Sequence, residues 1–194
     1  MRILGTSLSL PALASAWDQL EQKRKPTPYC ELGPFYKREA PHTSVLRAPS
    51  DAGMLLALSG MVYNTRGDIV PDTKLEIWQT DNDGHYDIDG YRYRAVLTPG
   101  PKDAYAIDYV IPGHYPSRVC QHVHYLVNAP GHKPWITQMY FATDPVFDGP
   151  DKNYTRDPLI LSRDLVRPVR IKADTKQSSA LVNFDLVMET LYTH

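Results

Sequence analysis

The sequence predicts an all-β chain, a β-sandwich of antiparallel strands with an irregular N-terminal arm and long loops. Three observations carry this. Short runs rich in Val, Ile, Tyr and Thr recur with turn signals between them. No helical period intervenes between these runs. The chain carries 17 Pro and 11 Gly among 194 residues, a density of turn formers that leaves little room for long helices. The length suits one domain with a real core, read as an arm over residues 1–30 and a β-sandwich domain over 31–194. A net charge of -1 gives no reason to expect nucleic acid or an anionic membrane as partner. No apolar run is long enough to span a bilayer. The two cysteines, Cys30 and Cys120, are too few for a disulfide framework or a zinc ribbon, and a single bridge between them stays open.

Met1-Arg2, the apolar stretch Ile3 to Ala14 and the ending Ala14-Ser15-Ala16 have the parts of an export signal in residues 1–16. A loose arm is the other reading, so an exported or periplasmic location and a cytoplasmic one both stand. Trp17 to Lys25 fits a short helix stopped by Pro26, which pushes the residue before it out of helical geometry. Pro26 to Pro49 holds five prolines and reads as an extended segment laid over the domain. Met54 to Tyr63 is a strand with a bulge at Gly60, and Asn64 to Asp68 a turn. Thr73 to Gln79 alternates as a strand, followed by a turn at Asp81 to Gly84. Tyr91 to Leu97 and Tyr105 to Ile111 are further strands. Gln121 to Val127 is a strand, Asn128 to Pro134 a turn, and Trp135 to Ala142 a strand. Asp144 to Arg156 reads as a polar loop, and Val169 to Lys172 and Ala180 to Met188 close the sheet.

The chemistry centres on His122-Val123-His124. Alternate residues of a strand share a face, so His122, His124 and Leu126 point one way and Val123, Tyr125 and Val127 the other. Two residues span roughly 6.6 Å, close enough for both rings to converge on one ion. The neighbours sort the possible metal sites. A cupin-like site would need a glycine at Pro116 and an acid at Asn128 or Ala129; a His-x-His-x-Asp hydrolase would need Asp at Leu126. A copper-zinc dismutase would need several histidines downstream, where only His132 and His194 remain. The Asp81-Asn82-Asp83-Gly84 turn lacks the further acids of a calcium loop. Tyrosines are abundant, 13 against 4 Phe, and Tyr86 and Tyr115 each follow a glycine-containing turn at a strand end. They are the next candidate ligands. His85, His114 and His132 read as local hydrogen-bonding residues or as supports behind the ligands.

The ordered pieces Leu32-Gly33-Pro34-Phe35-Tyr36, Gly60-Met61-Val62, Leu75 to Asp81, Gly84-His85-Tyr86, Tyr91 to Arg94, Pro112 to Arg118, His122-Val123-His124 and Thr137 to Phe141 resemble the intradiol ring-cleavage dioxygenases. These are non-haem iron(III) enzymes that include the protocatechuate and catechol dioxygenases, and the likeness runs from Gly33 to Asp144. The resemblance implies Fe(III) held by Tyr86, Tyr115, His122 and His124. It makes Tyr115 and His122 axial and Tyr115 the ligand that substrate displaces. It gives Arg118 and Gln138 the stabilisation of charge on the bound ring. The implied reaction cleaves a catechol-type ring between its two hydroxyl-bearing carbons with O2, giving a cis,cis-muconate-type diacid, as in aromatic compound catabolism. Catechol, hydroxyquinol, protocatechuate and a larger biosynthetic catechol all remain open as substrate. Family habit implies a homo-oligomer, dimer or higher, with Gly33 to Tyr36 a candidate for an interface. Hard anionic oxygen donors suit iron(III) over softer divalent metals.

The chain departs from the family in four ways. Arg118 stands four residues before His122 rather than three; Cys120 and Gln121 replace the usual Pro and small residue. The Tyr115-to-His122 loop is short, and the long helical N-terminal region of catechol dioxygenases is absent. A non-catalytic β-sandwich binding or assembly subunit is one competing reading. Another His-pair metalloenzyme, with zinc or iron(II), is the second.

Overall fold

The structure, a computed structural model, describes residues 23–100, 102, 104–115, 120–145, 162–175 and 177–191. The stretch 1–16, most of the Trp17–Lys25 helix, Arg118 and all but the start of the Asp144–Arg156 loop lie outside the described residues. Among the described residues the strands are β1 (Leu55–Gly60), β2 (Val62–Asn64), β3 (Lys74–Trp78), β4 (Arg94–Leu97), β5 (Tyr105–Val110), β6 (His122–Asn128), β7 (Trp135–Phe141), β8 (Val166–Arg167), β9 (Arg170–Lys172), β10 (Ser179–Asn183) and β11 (Leu186–Met188). One turn of 3-10 helix, Arg163–Leu165, precedes β8. No described helix is long and apolar enough to cross a membrane.

The all-β expectation holds. A four-stranded sheet runs β5-β1-β10-β9, a five-stranded sheet β4-β3-β6-β7-β8, and β11 pairs β2. The antiparallel expectation needs amending, because β1·β10, β2·β11 and β7·β8 are parallel. The two larger sheets bury one apolar cluster. Leu56, Leu58, Ile107, Tyr109 and Val182 come from one sheet, and Leu75, Ile77, Val123, Tyr125 and Val127 from the other. Each such aliphatic side chain contributes about 1.5–3 kcal/mol when fully buried. Tyr125 bridges the layers, its ring 6.2 Å from Tyr105 and 5.3 Å from Phe184.

Several strand boundaries moved, each for a visible reason. The Met54–Tyr63 strand breaks at Met61 and changes sheets instead of bulging at Gly60. The Ala180–Met188 strand breaks beside it, where Phe184 N–H donates to Ser59 O and Asp185 Oδ1 accepts from Met61 N–H. β4 starts at Arg94 rather than Tyr91, because Tyr93 sits at φ 55° and Arg94 N–H turns back to Tyr91 O. Lys23 to Lys25 is not helical; Arg24 N–H is spent on Thr65 O. Cys30 and Cys120 are both buried.

The Pro-rich arm is laid over the domain, as its composition suggests. It runs along the edge strands β4 and β5 and along the stretch of β7 that β8 leaves unpaired. Cys30 N–H donates to Ile136 O of β7, Val96 N–H of β4 to Pro41 O, and Leu46 N–H to Asp108 O of β5. Edge strands left bare are templates for aggregation, and the arm closes these. Between β7 and β4 it must cross the outer face of the five-stranded sheet. Hence every residue of β6 from His122 to Tyr125 is buried, on both faces.

Candidate metal centre

The site forms on that outer face, under the arm. Register aligns Arg94, Trp78, His124 and Gln138 as one row across β4, β3, β6 and β7. His122 stands one pleat along, opposite Tyr140. Tyr86 reaches in from the loop between β3 and β4. Its Oη lies 3.1 Å from His124 Nε2 and 3.4 Å from His122 Nε2, and the two Nε2 atoms are 3.1 Å apart. Donors each about 2.1 Å from one ion and roughly at right angles stand about 3 Å from each other. These three therefore fit a single metal ion. Among the described residues no cluster of three His, Cys, Asp or Glu is assembled. The partners available to the His pair are phenols, which suits a hard trivalent ion.

Tyr115 flanks this group. Its ring centroid lies 5.5 Å from that of Tyr86 and 5.7 Å from that of His122. The His122 tautomer follows from its neighbour. Nδ1 is 2.8 Å from the Cys120 carbonyl, which only accepts, so Nδ1 carries the hydrogen and Nε2 faces the metal position with a lone pair. His124 is held by stacking on Trp78, 4.8 Å and 5° from coplanar. Gly33, at φ 75°, lies flat on the other side of the site, where a Cβ would stand 3.3 Å from His124 Cε1. Phe35 stacks on Tyr86 at 4.3 Å. Thus the Gly33–Tyr36 stretch, a candidate interface by resemblance, roofs the site within its own chain.

The remaining expected residues fall as follows. Gln138 is buried beside His124, with its amide donating to Glu31 O at 3.1 Å and its carbonyl accepting from Tyr140 Oη at 2.7 Å. Arg118 lies outside the described residues. His85 pairs with Asp81 at the surface, and His132 Nδ1 stands 2.8 Å from Pro130 O, both local roles as expected.

Two residues were missed. Arg94 is buried, donates to Phe35 O and Asp87 O, and holds its guanidinium 5.9 Å from the Tyr86 ring. Burial pushes its pKa down, opposed by the nearby Tyr86 and Asp87. Its sequence signal was its place in the Tyr91–Arg94 motif, next to the apolar run Ala95 to Leu97. Asp144 was placed in a polar loop, yet it is fully buried, with its carboxylate on Gln121 N–H and His114 Nε2.

The ligand-bearing segments are locked to one another. Gly113 N–H donates to Asp81 O at 2.7 Å, and Gln121 Nε2 to Pro112 O at 2.8 Å. At Gly84, φ 87°, a Cβ would overlap the His114 carbonyl, so only glycine lets the Tyr86 turn sit against the Tyr115 segment.

Residues 31–190 match a family model described as Dioxygenase. The hydroxyquinol 1,2-dioxygenase of Nocardioides simplex is 29% identical over 154 residues, 68% of this chain and 53% of that protein. The chlorocatechol 1,2-dioxygenase of Rhodococcus opacus is 26% identical over 187 residues, 81% of this chain and 70% of that protein. A solved dioxygenase domain from a dioxygenase–carbohydrate-binding protein fusion of Streptomyces sp. SirexAA-E superposes with TM-score 0.74 at 29% identity, covering 86% of this chain and 100% of that one. The chain spans about half the length of the first curated relatives it matches, 53% and 55%.

Proposed function

This chain belongs to the dioxygenase family whose model matches residues 31–190, and from that premise we propose that it is a non-haem iron(III) intradiol dioxygenase. It cleaves a catechol-type ring between the two hydroxyl-bearing carbons and gives a cis,cis-muconate-type diacid. Both atoms of O2 enter the product, so the reaction balances without a reductant or organic cofactor. The observation that carries this reading is the meeting of Tyr86 Oη, His122 Nε2 and His124 Nε2 at 3.1 to 3.4 Å. Relatives named for hydroxyquinol and chlorocatechol support a dihydroxylated ring as substrate.

Tyr86, Tyr115, His122 and His124 are the ligands in this reading. Iron(III), when bound, is the Lewis acid that keeps the phenols ionised and makes a catecholate reactive toward O2. His122 offers the Nε2 lone pair that the Cys120 carbonyl fixes. Tyr115 Oη would be the base that takes the proton of one catechol hydroxyl. Phe35 and Gly33 from the arm and Trp78 from β3 exclude water, which strengthens the charge interactions within. Gln138, tied at both ends of its amide, is a fixed dipole beside His124, and Arg118 supplies a positive charge toward the ring.

The visible spectrum of the purified protein, beside an iron assay, tests this. A broad tyrosinate-to-iron(III) band at about one iron per chain, shifting when catechol is added without air, is expected. An iron-replete but colourless protein would refute the two-tyrosinate ligand set.

A further inference from the structure

Asp144 follows β7 in sequence and has no place in the mechanism above. It is nonetheless wholly buried, and a buried carboxylate is costly unless it is hydrogen-bonded. Its Oδ2 accepts Gln121 N–H at 2.7 Å, and its two oxygens stand 3.1 and 3.0 Å from His114 Nε2. A carboxylate only accepts, so Nε2 carries the hydrogen. Gln121 is the residue before His122, and His114 the residue before Tyr115. One carboxylate, brought from a third segment, therefore grips the backbone leading to one proposed ligand and the side chain next to another. Asp144 is itself tied down, its N–H donating to Phe141 O at 3.0 Å at the end of β7.

We infer that Asp144 is a positioning residue that sets Tyr115 against His122, with His114 as its arm to the Tyr115 segment. This rests on the reading of Tyr115 and His122 as iron ligands. The two ties differ in consequence. The bond to Gln121 N–H fixes the strand end that delivers His122. The bond to His114 fixes the backbone beside Tyr115, so that its main chain would stay put when substrate draws the phenol away. Losing the carboxylate then disturbs the substrate-driven step more than iron retention. His114 is 44% exposed in its side chain, so it can be changed with little disturbance to the fold.

The test compares wild type, Asp144→Asn and His114→Ala as full chains loaded with iron. Iron per chain, melting temperature and the visible band are recorded, and the band is then titrated with catechol without air. Both variants are expected to keep iron and a tyrosinate band. Each should need ~10-fold or more catechol for the same spectral shift, the size of effect that outer residues of metal sites give. The double variant should be no worse than Asp144→Asn, because both changes cut one link. If Asp144→Asn does not fold, His114→Ala alone decides. Variants that melt lower but titrate as wild type would show a merely structural carboxylate and overturn the inference. A wild type with iron and no band would instead bring down the ligand reading, and this inference with it.

Discussion

β6 carries two chemistries on its two faces. Inward, Val123, Tyr125 and Val127 are each 0% exposed; outward, His122 and His124 are 3% and 2% exposed. Burial is the same and the outcome opposite. The inward Tyr125 lies among Tyr105, Tyr109 and Phe184, and burial pushes all three core phenols up, so they stay neutral. The outward face meets Tyr86 across a gap lined by ring nitrogens and backed by the buried guanidinium of Arg94. A phenol between apolar neighbours is a filler; a phenol between imidazoles and a cation is a candidate ligand. What separates the faces is their cover, an apolar sheet on one side and a polar arm with its own hydrogen bonds on the other.

The sharpest way to break this comparison is to damage each face and read both outputs. Tyr125→Ala removes a ring that bridges the sheets and should cost about 3–5 kcal/mol of unfolding free energy, the range for aromatic-to-alanine changes in cores. Its folded fraction should keep the visible band. Urea denaturation beside the spectrum measures the two separately; a lost band in a folded Tyr125→Ala protein would mean that the faces are coupled. His124→Ala is the converse. It should abolish the band and lower iron affinity and ring cleavage by more than ~100-fold, beyond what outer residues of metal sites give. Metal-free stability should shift less than in Tyr125→Ala, since the stack on Trp78 and the contacts with Tyr86 and His122 are lost but no ring that bridges the two sheets.

The two faces were not equally legible. The inner face follows from alternation alone, since Leu75, Ile77, Val123, Tyr125 and Val127 sit at every second position. The His pair was legible for the same reason. Tyr86 is 36 residues from His122 and joins it only through a loop, so only the order of short motifs pointed to it. The Arg94–Trp78–His124–Gln138 row needs the register of four strands, which alternation leaves open by whole two-residue steps. Asp144 does lie in the loop that its turn signal before Pro145 suggests, and what went unread is its burial. Its burial comes from three segments converging, which local pattern does not encode. The break at Met61 and the parallel β1·β10 pair are likewise products of long-range packing.

Tyr36 gives the smallest effect and the finest cut, because it lies on the outer side of the sheet without reaching the ligand group. Its Oη donates to the buried Glu76 at 2.8 Å and its ring tilts on Trp78. If outward placement alone made a residue functional, Tyr36→Phe would alter the spectrum. If contact with the ligand group decides, it should cost about 1 kcal/mol, the usual worth of a hydrogen bond, and leave the band unchanged. Alkali offers a second reading of the same bond. Burial, then the hydrogen bond to Glu76, push the Tyr36 phenol up to about 12. A folded-state pKa above the unfolded value of about 10 means stability that is full below pH 10 and falls as pH climbs through 12. Denaturation midpoints between those limits should drop less steeply in Tyr36→Phe than in wild type. An equal slope would mean that the phenol is not held to Glu76, and that the arm is anchored over the site by Arg94 and Gln138 instead.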